Sequence, residues 1–133
     1  GSDAGAHLDR MCGGSYTTQF LADMLRGRRY LSLEQTVRAL TDTPARLFGL
    51  RDRGRIQEGW IADLVLFDPA TVASDSPRLV HDLPGGSVRM TAASIGIIRT
   101  WVNGVETIAD GLATGLTPGS VLRSGRDTDT VAV

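Results

Sequence analysis

Lysine is absent from this chain, and all fourteen of its basic side chains are arginines. Such a composition reads as the coding bias of a GC-rich genome, and the sequence by itself gives it no functional role. One cysteine, Cys12, excludes an intramolecular disulfide and every zinc site that needs two or more thiolates. In sequence it sits beside Gly13 and Gly14 with no base closer than Arg10, the setting of an idle or buried thiol rather than a nucleophile. The two histidines, His7 and His81, fall in segments of different kind, with no His-x-His and no His-Glu-x-x-His. A complete zinc site from this chain alone is therefore not expected. Also missing are a Gly-x-Ser-x-Gly elbow and a phosphate loop, since Leu83-Pro84-Gly85-Gly86 lacks the glycine spacing that cradles phosphate. The longest apolar runs, residues 61–67 and 92–98, fall short of the ~20 residues that cross a bilayer. No charged-then-apolar signal segment opens the chain, so a soluble, cytoplasmic protein without membrane contact is expected. A net charge of -1 gives no bulk attraction to nucleic acid.

What is present fits one modest domain: 133 residues, 41% hydrophobic and 22% charged. A (β/α)₈ barrel takes about 250 residues, so any barrel reading concerns part of a barrel. The start Gly1-Ser2-Asp3, without methionine, suits a cloning scar, a processed product or a piece of something longer.

Helical periodicity dominates the first fifty residues. Tyr16, Phe20, Leu21, Met24 and Leu25 recur at three- to four-residue steps and predict an amphipathic helix over 16–28, capped by Ser15 or Thr17. Ser32 followed by Gln35 is a capping box that starts a second helix near Leu33. Pro44 disfavours helical geometry at Thr43, which predicts a stop there. Thr43 then caps a short helix from Pro44 to Phe48, ended by Gly49. Beyond Gly54 the pattern turns to strands: a buried strand over 61–67, a turn at Asp68-Pro69-Ala70-Thr71, and a long loop over 74–87. Asn103-Gly104 lies between the strand-like runs 94–102 and 105–109, a strong hairpin signal. Residues 124–133 show no periodicity and are expected to fray. Helices followed by short strands make an α+β chain.

By spacing alone, Gly1-Ser2-Asp3-Ala4-Gly5-Ala6-His7 is a turn in which Asp3 caps a backbone group. Taken in order with Leu40 to Leu50, with Gly54-Arg55-Ile56, and with Glu58-Gly59-Trp60-Ile61-Ala62-Asp63-Leu64-Val65-Leu66-Phe67-Asp68-Pro69, it resembles the C-terminal end of an amidohydrolase. His81-Asp82-Leu83-Pro84-Gly85-Gly86, Val102-Asn103-Gly104-Val105, Gly111 to Gly115 and Pro118 to Arg123 narrow the resemblance to the N-acyl-D-amino-acid deacylase (D-aminoacylase) branch. The similarity runs from Gly1 to about Arg126.

The resemblance implies a metal-dependent (β/α)₈ barrel flanked by a small β-sandwich. Residues 1–50 would be the last barrel loop and helices, 51–123 part of the sandwich, and 124–133 a flexible tail. It implies that Asp3 touches the metal, zinc, and serves as general base, while His7 and Arg10 lie on the substrate side, Arg10 as a fork for a carboxylate. A small N-acyl amino acid is the implied substrate of the parent enzyme. The family's His-x-His, bridging ligand and two later histidines have no counterpart here, so the isolated chain is expected to be inactive. It is expected to expose apolar faces that seek a partner, either the absent barrel portion or a second copy. Two rival readings stay open: a self-sufficient, non-catalytic α+β binding domain, and one subunit of a split amidohydrolase.

Overall fold

The computed structural model describes residues 2 and 4–131. Three helices precede eight short strands, the α+β order expected from the sequence: α1 Tyr16–Ala22, α2 Leu33–Leu40, α3 Asp42–Leu47, β1 Leu64–Phe67, β2 Ala73–Ser74, β3 Arg78–Val80, β4 Arg89–Thr91, β5 Ser94–Ile95, β6 Ile97–Val102, β7 Val105–Ala109 and β8 Leu112–Ala113. Among the described residues, no helix is long and apolar enough to cross a membrane.

α1 runs on into a widened, π-type turn at Asp23–Gly27, so the predicted 16–28 helix is one continuous element. Ser15 stands at the N-cap without a side-chain cap; its carbonyl instead accepts from the Thr18 hydroxyl at 3.1 Å. The capping box forms as predicted. Gln35 N donates to Ser32 Oγ at 3.2 Å and Ser32 N to Gln35 Oε1 at 2.9 Å. α3 corrects the sequence reading, because it begins at Asp42, with Thr41 and not Thr43 as N-cap. Pro44 is then its third residue, where a helix N–H has no partner to lose. The buried Asp42 carboxylate holds this start in place by accepting Arg55 Nε at 2.6 Å and Arg46 Nε at 3.0 Å, with Arg38 Nε at 3.4 Å. Gly49, at φ +62°, ends the helix as predicted.

The main sheet is antiparallel with order β1-β6-β7-β8. Its centre is the Asn103-Gly104 hairpin, with φ of +52° and +77° at the two turn residues, the signs a type I′ turn needs. Thr100 and Thr107 share a hydroxyl hydrogen bond of 2.8 Å across it, and Arg99 pairs with Glu106 at 2.7 Å. The predicted buried strand over 61–67 is shorter and more open. It starts at Leu64, because Asp63 spends its carboxylate on Arg53 and on the Asn103 N–H at 2.8 Å. Leu64, Val65 and Leu66 are exposed, and as successive side chains alternate between faces, both faces of this edge strand lie largely uncovered.

The span 74–87, expected as a loop, holds structure: β2 pairs with β5, and β3 pairs with β4. A turn at Pro84–Gly86 joins the second pair, with Gly85 and Gly86 both at φ +73°. Residues 124–129, expected to fray, are fastened to the helical half: Asp129 N donates to Gly49 O at 2.8 Å, and Arg51 donates to Asp129, Arg126 and Thr128.

Among the described residues, the buried apolar side chains are Leu21, Ala45 and Val72. Burying a Leu or Val is worth roughly 1.5–3 kcal/mol, so this chain draws little stability from a core of its own. The hairpin is correspondingly important. Gly104→Val forces a branched side chain into positive φ and should destabilise the fold by about 1 kcal/mol or more, read as a lowered urea midpoint at unchanged slope.

Candidate active site

Residues 4–12, the stretch that carries the candidate groups, form successive tight turns. Asp3 lies outside the described residues. His7 and Arg10 share one turn: the His7 carbonyl accepts from the Arg10 and Met11 N–H groups, both at 2.9 Å, with His7 itself at φ +49°. That left-handed backbone is uncommon for a side chain of this size. Both side chains are exposed. Arg10 is not free to meet a substrate unaided, because its Nε and Nη2 donate to Asp9 Oδ2 at 3.2 and 2.9 Å. This fork holds the Asp9 carboxyl below the usual carboxylate range and raises the Arg10 guanidinium.

Opposite the loop stands β4. Met90 N donates to Leu8 O at 2.6 Å, adding the loop to the free edge of the β3–β4 hairpin. Between them lies a cavity of about 290 Å³ bordered by Leu8, Met11, Cys12, Arg89 and Met90. At its rim Arg89 forks onto Asp82, Nε to Oδ1 and Nη2 to Oδ2, each 2.7 Å, which keeps the Asp82 carboxyl low. Sequence reasoning passed over this pair. The readable signal was an acid and an arginine flanking a Pro-Gly-Gly turn.

His7 and His81 do not join in a metal-binding group. Among the described residues, no three His, Cys, Asp or Glu side chains converge as a metal site would require. The described part of the chain therefore does not fit zinc by its own residues. What it offers chemically is a polar loop, a cation held in reserve by an acid, and a small cavity against a strand edge.

The model of the amidohydrolase family matches residues 1–108, and the chain belongs to that family. Within it the chain is D-aminoacylase-like. It is 39% identical over 109 residues to the N-acyl-D-aspartate deacylase of Alcaligenes xylosoxydans xylosoxydans, covering 81% of this chain and 20% of that protein. To the N-acyl-D-glutamate deacylase of the same organism it is 41% identical over 99 residues, covering 74% and 18%. The solved structure of D-aminoacylase superposes with a TM-score of 0.60 at 35% identity, over 75% of this chain and 19% of its own. The N-acyl-D-glutamate deacylase of Bordetella bronchiseptica, solved with zinc and a phosphonate mimic of the tetrahedral intermediate, gives 0.52 at 40% identity, over 71% and 19%. The chain spans about a fifth of the length of these relatives.

The Asp9–Arg10 fork sets a pH expectation. A carboxyl held low by its partner keeps the pair intact above the ordinary range and releases it only as pH falls through the depressed value. Carbon-detected titration of Asp9 should give a midpoint below the ordinary carboxylate range, and Arg10→Gln should raise it toward that range.

Proposed function

We propose that these residues are the C-terminal end of a metal-dependent amidohydrolase that cleaves the amide bond of N-acyl-D-amino acids or closely similar compounds. The observation that carries the reading is the run of about 40% identity to deacylases named for that reaction. In this reading, residues 1–50 are the last loop and helices of a (β/α)₈ barrel, 51–123 part of the small flanking sandwich, and 124–133 its closing tail. The exposed β1 strand and the short helices fit that division.

Zinc supplies the polarisation of amide and water in such an enzyme, and its ligands come chiefly from outside this chain. The part taken by this chain is proton transfer. Asp3 accepts a proton from the attacking water and delivers it to the departing amine, for which a carboxylate on a loop at the barrel mouth is suited. Arg10 meets the substrate carboxylate by exchanging Asp9, held through one oxygen, for a bidentate partner. His7, in the same turn, lines the substrate side.

The proposal is tested in the complete polypeptide that carries these residues. Asp3→Asn keeps the shape and removes the base, so turnover of an N-acyl-D-amino acid should fall roughly 10² to 10⁴ fold, with the fold retained and metal content only slightly lowered by loss of the carboxylate contact. Near-normal turnover would return Asp3 to a turn residue. The 133 residues alone should neither hydrolyse the amide nor stay free of a hydrophobic dye. A cooperative, monomeric, dye-free melt would favour a self-sufficient binding domain instead.

A further inference from the structure

The loop that carries Asp3, His7 and Arg10 has a single hydrogen bond to the rest of the molecule among the described residues. Within 4–12, the bonds from His7 O, from Ser2 Oγ and from Asp9 are all local. The exception is Met90 N to Leu8 O at 2.6 Å. Met90 is the middle residue of β4, opposite Leu79 of β3, and its N–H points away from β3 toward the loop. Where Leu8 lies therefore depends on where the β3–β4 hairpin holds Met90.

That hairpin is only three pairs long, and two glycines at positive φ sit in its connection. A two-stranded ribbon of this size is marginal by itself. What closes it is the Asp82–Arg89 fork, two bonds of 2.7 Å between the second residue past the β3 end and the residue next to Met90. We propose that Arg89 is a positioning residue: locked to Asp82, it fixes β4 so that Met90 can hold Leu8, and through Leu8 the loop whose groups act on the substrate. This rests on the catalytic reading of that loop. It assigns to the Asp82–Arg89 pair a role that no contact with substrate requires.

The test uses the complete polypeptide with Arg89→Gln, Arg89→Lys and, as a matched control, Arg126→Gln, which opens a similar exposed fork on Asp127 far from the loop. Arg89→Gln should speed exchange of the Met90 amide hydrogen at least tenfold and lower kcat about tenfold, with KM within twofold and melting temperature and metal content retained. Arg89→Lys should fall between, because an ammonium gives the charge without the fork. Arg126→Gln should leave Met90 exchange and kcat unchanged. If Arg89→Gln does not fold, Asp82→Asn opens the same fork from its other side and should give the same pattern. Unchanged Met90 exchange overturns the proposal. So does a rise in KM at constant kcat, which would make Arg89 a substrate contact, or an equal loss in the Arg126 control. Asp3→Asn separates the two readings: full turnover in that variant removes the catalytic role of the loop, and Met90 exchange alone then decides whether Arg89 braces it.

Discussion

The two halves of this chain are joined at Val72, which has no exposed surface. Its position is fixed from both directions. Asp68 O accepts its N–H at 2.8 Å within the turn predicted at 68–71, while the Arg26 guanidinium, at the end of the first helical run, donates to the carbonyls of Val72 and of Pro69. Two residues on, Ser74 and Thr18 of α1 share a hydroxyl bond of 2.6 Å, in which Ser74 is the donor while Thr18 donates to Ser15 O. Gly96 completes the joint: a Cβ there would come within 2.6 Å of Val72 N, so the chain can pass over Val72 only without a side chain. Elsewhere the N-terminal half meets the rest of the chain at the Leu8–Met90 bond and at the Arg51 contacts to residues 126–129.

Little else is available because so few apolar side chains are covered. The chain is 41% hydrophobic, yet β1 presents Leu64, Val65 and Leu66 to solvent, and Ile56 is 92% exposed. An edge strand of consecutive aliphatic residues is a template for further pairing, which proteins normally blunt or cover. Under the proposed reading, further polypeptide would cover these residues. Among the described residues, in contrast, no buried side-chain polar atom lacks a partner. For these buried side-chain atoms polar satisfaction is complete, while apolar burial is incomplete.

That asymmetry also explains what could be read from the sequence. Features closed within a few residues were legible: the Ser32–Gln35 box, the Gly49 stop, the Asn103-Gly104 turn. Features that depend on a distant partner were not. Helix α3 starts before Pro44 since Arg55, thirteen residues away, helps to anchor Asp42. The β3–β4 hairpin escaped notice because it has three short pairs and no alternation, and the anchoring of 124–129 because Arg51 lies more than seventy residues earlier. For the site, the family resemblance named Asp3, His7 and Arg10, and periodicity alone would have left all three in a turn. The strand bonded to Leu8 was out of reach, since nothing in the chain near Leu8 announces Met90.

The arginines give the lysine-free composition a structural use that the sequence alone did not suggest. Where the chain must tie segments remote in sequence, it uses one guanidinium to do several things. Arg51 donates to a carboxylate and to two carbonyls, Arg26 to two carbonyls, and Arg89 to both oxygens of Asp82. An ammonium could supply the charge but not several fixed donors in one plane. Exposed ion pairs contribute little to stability singly, about 0–1 kcal/mol each, so these contacts serve geometry more than energy. They hold loops in register over a core too small to do so.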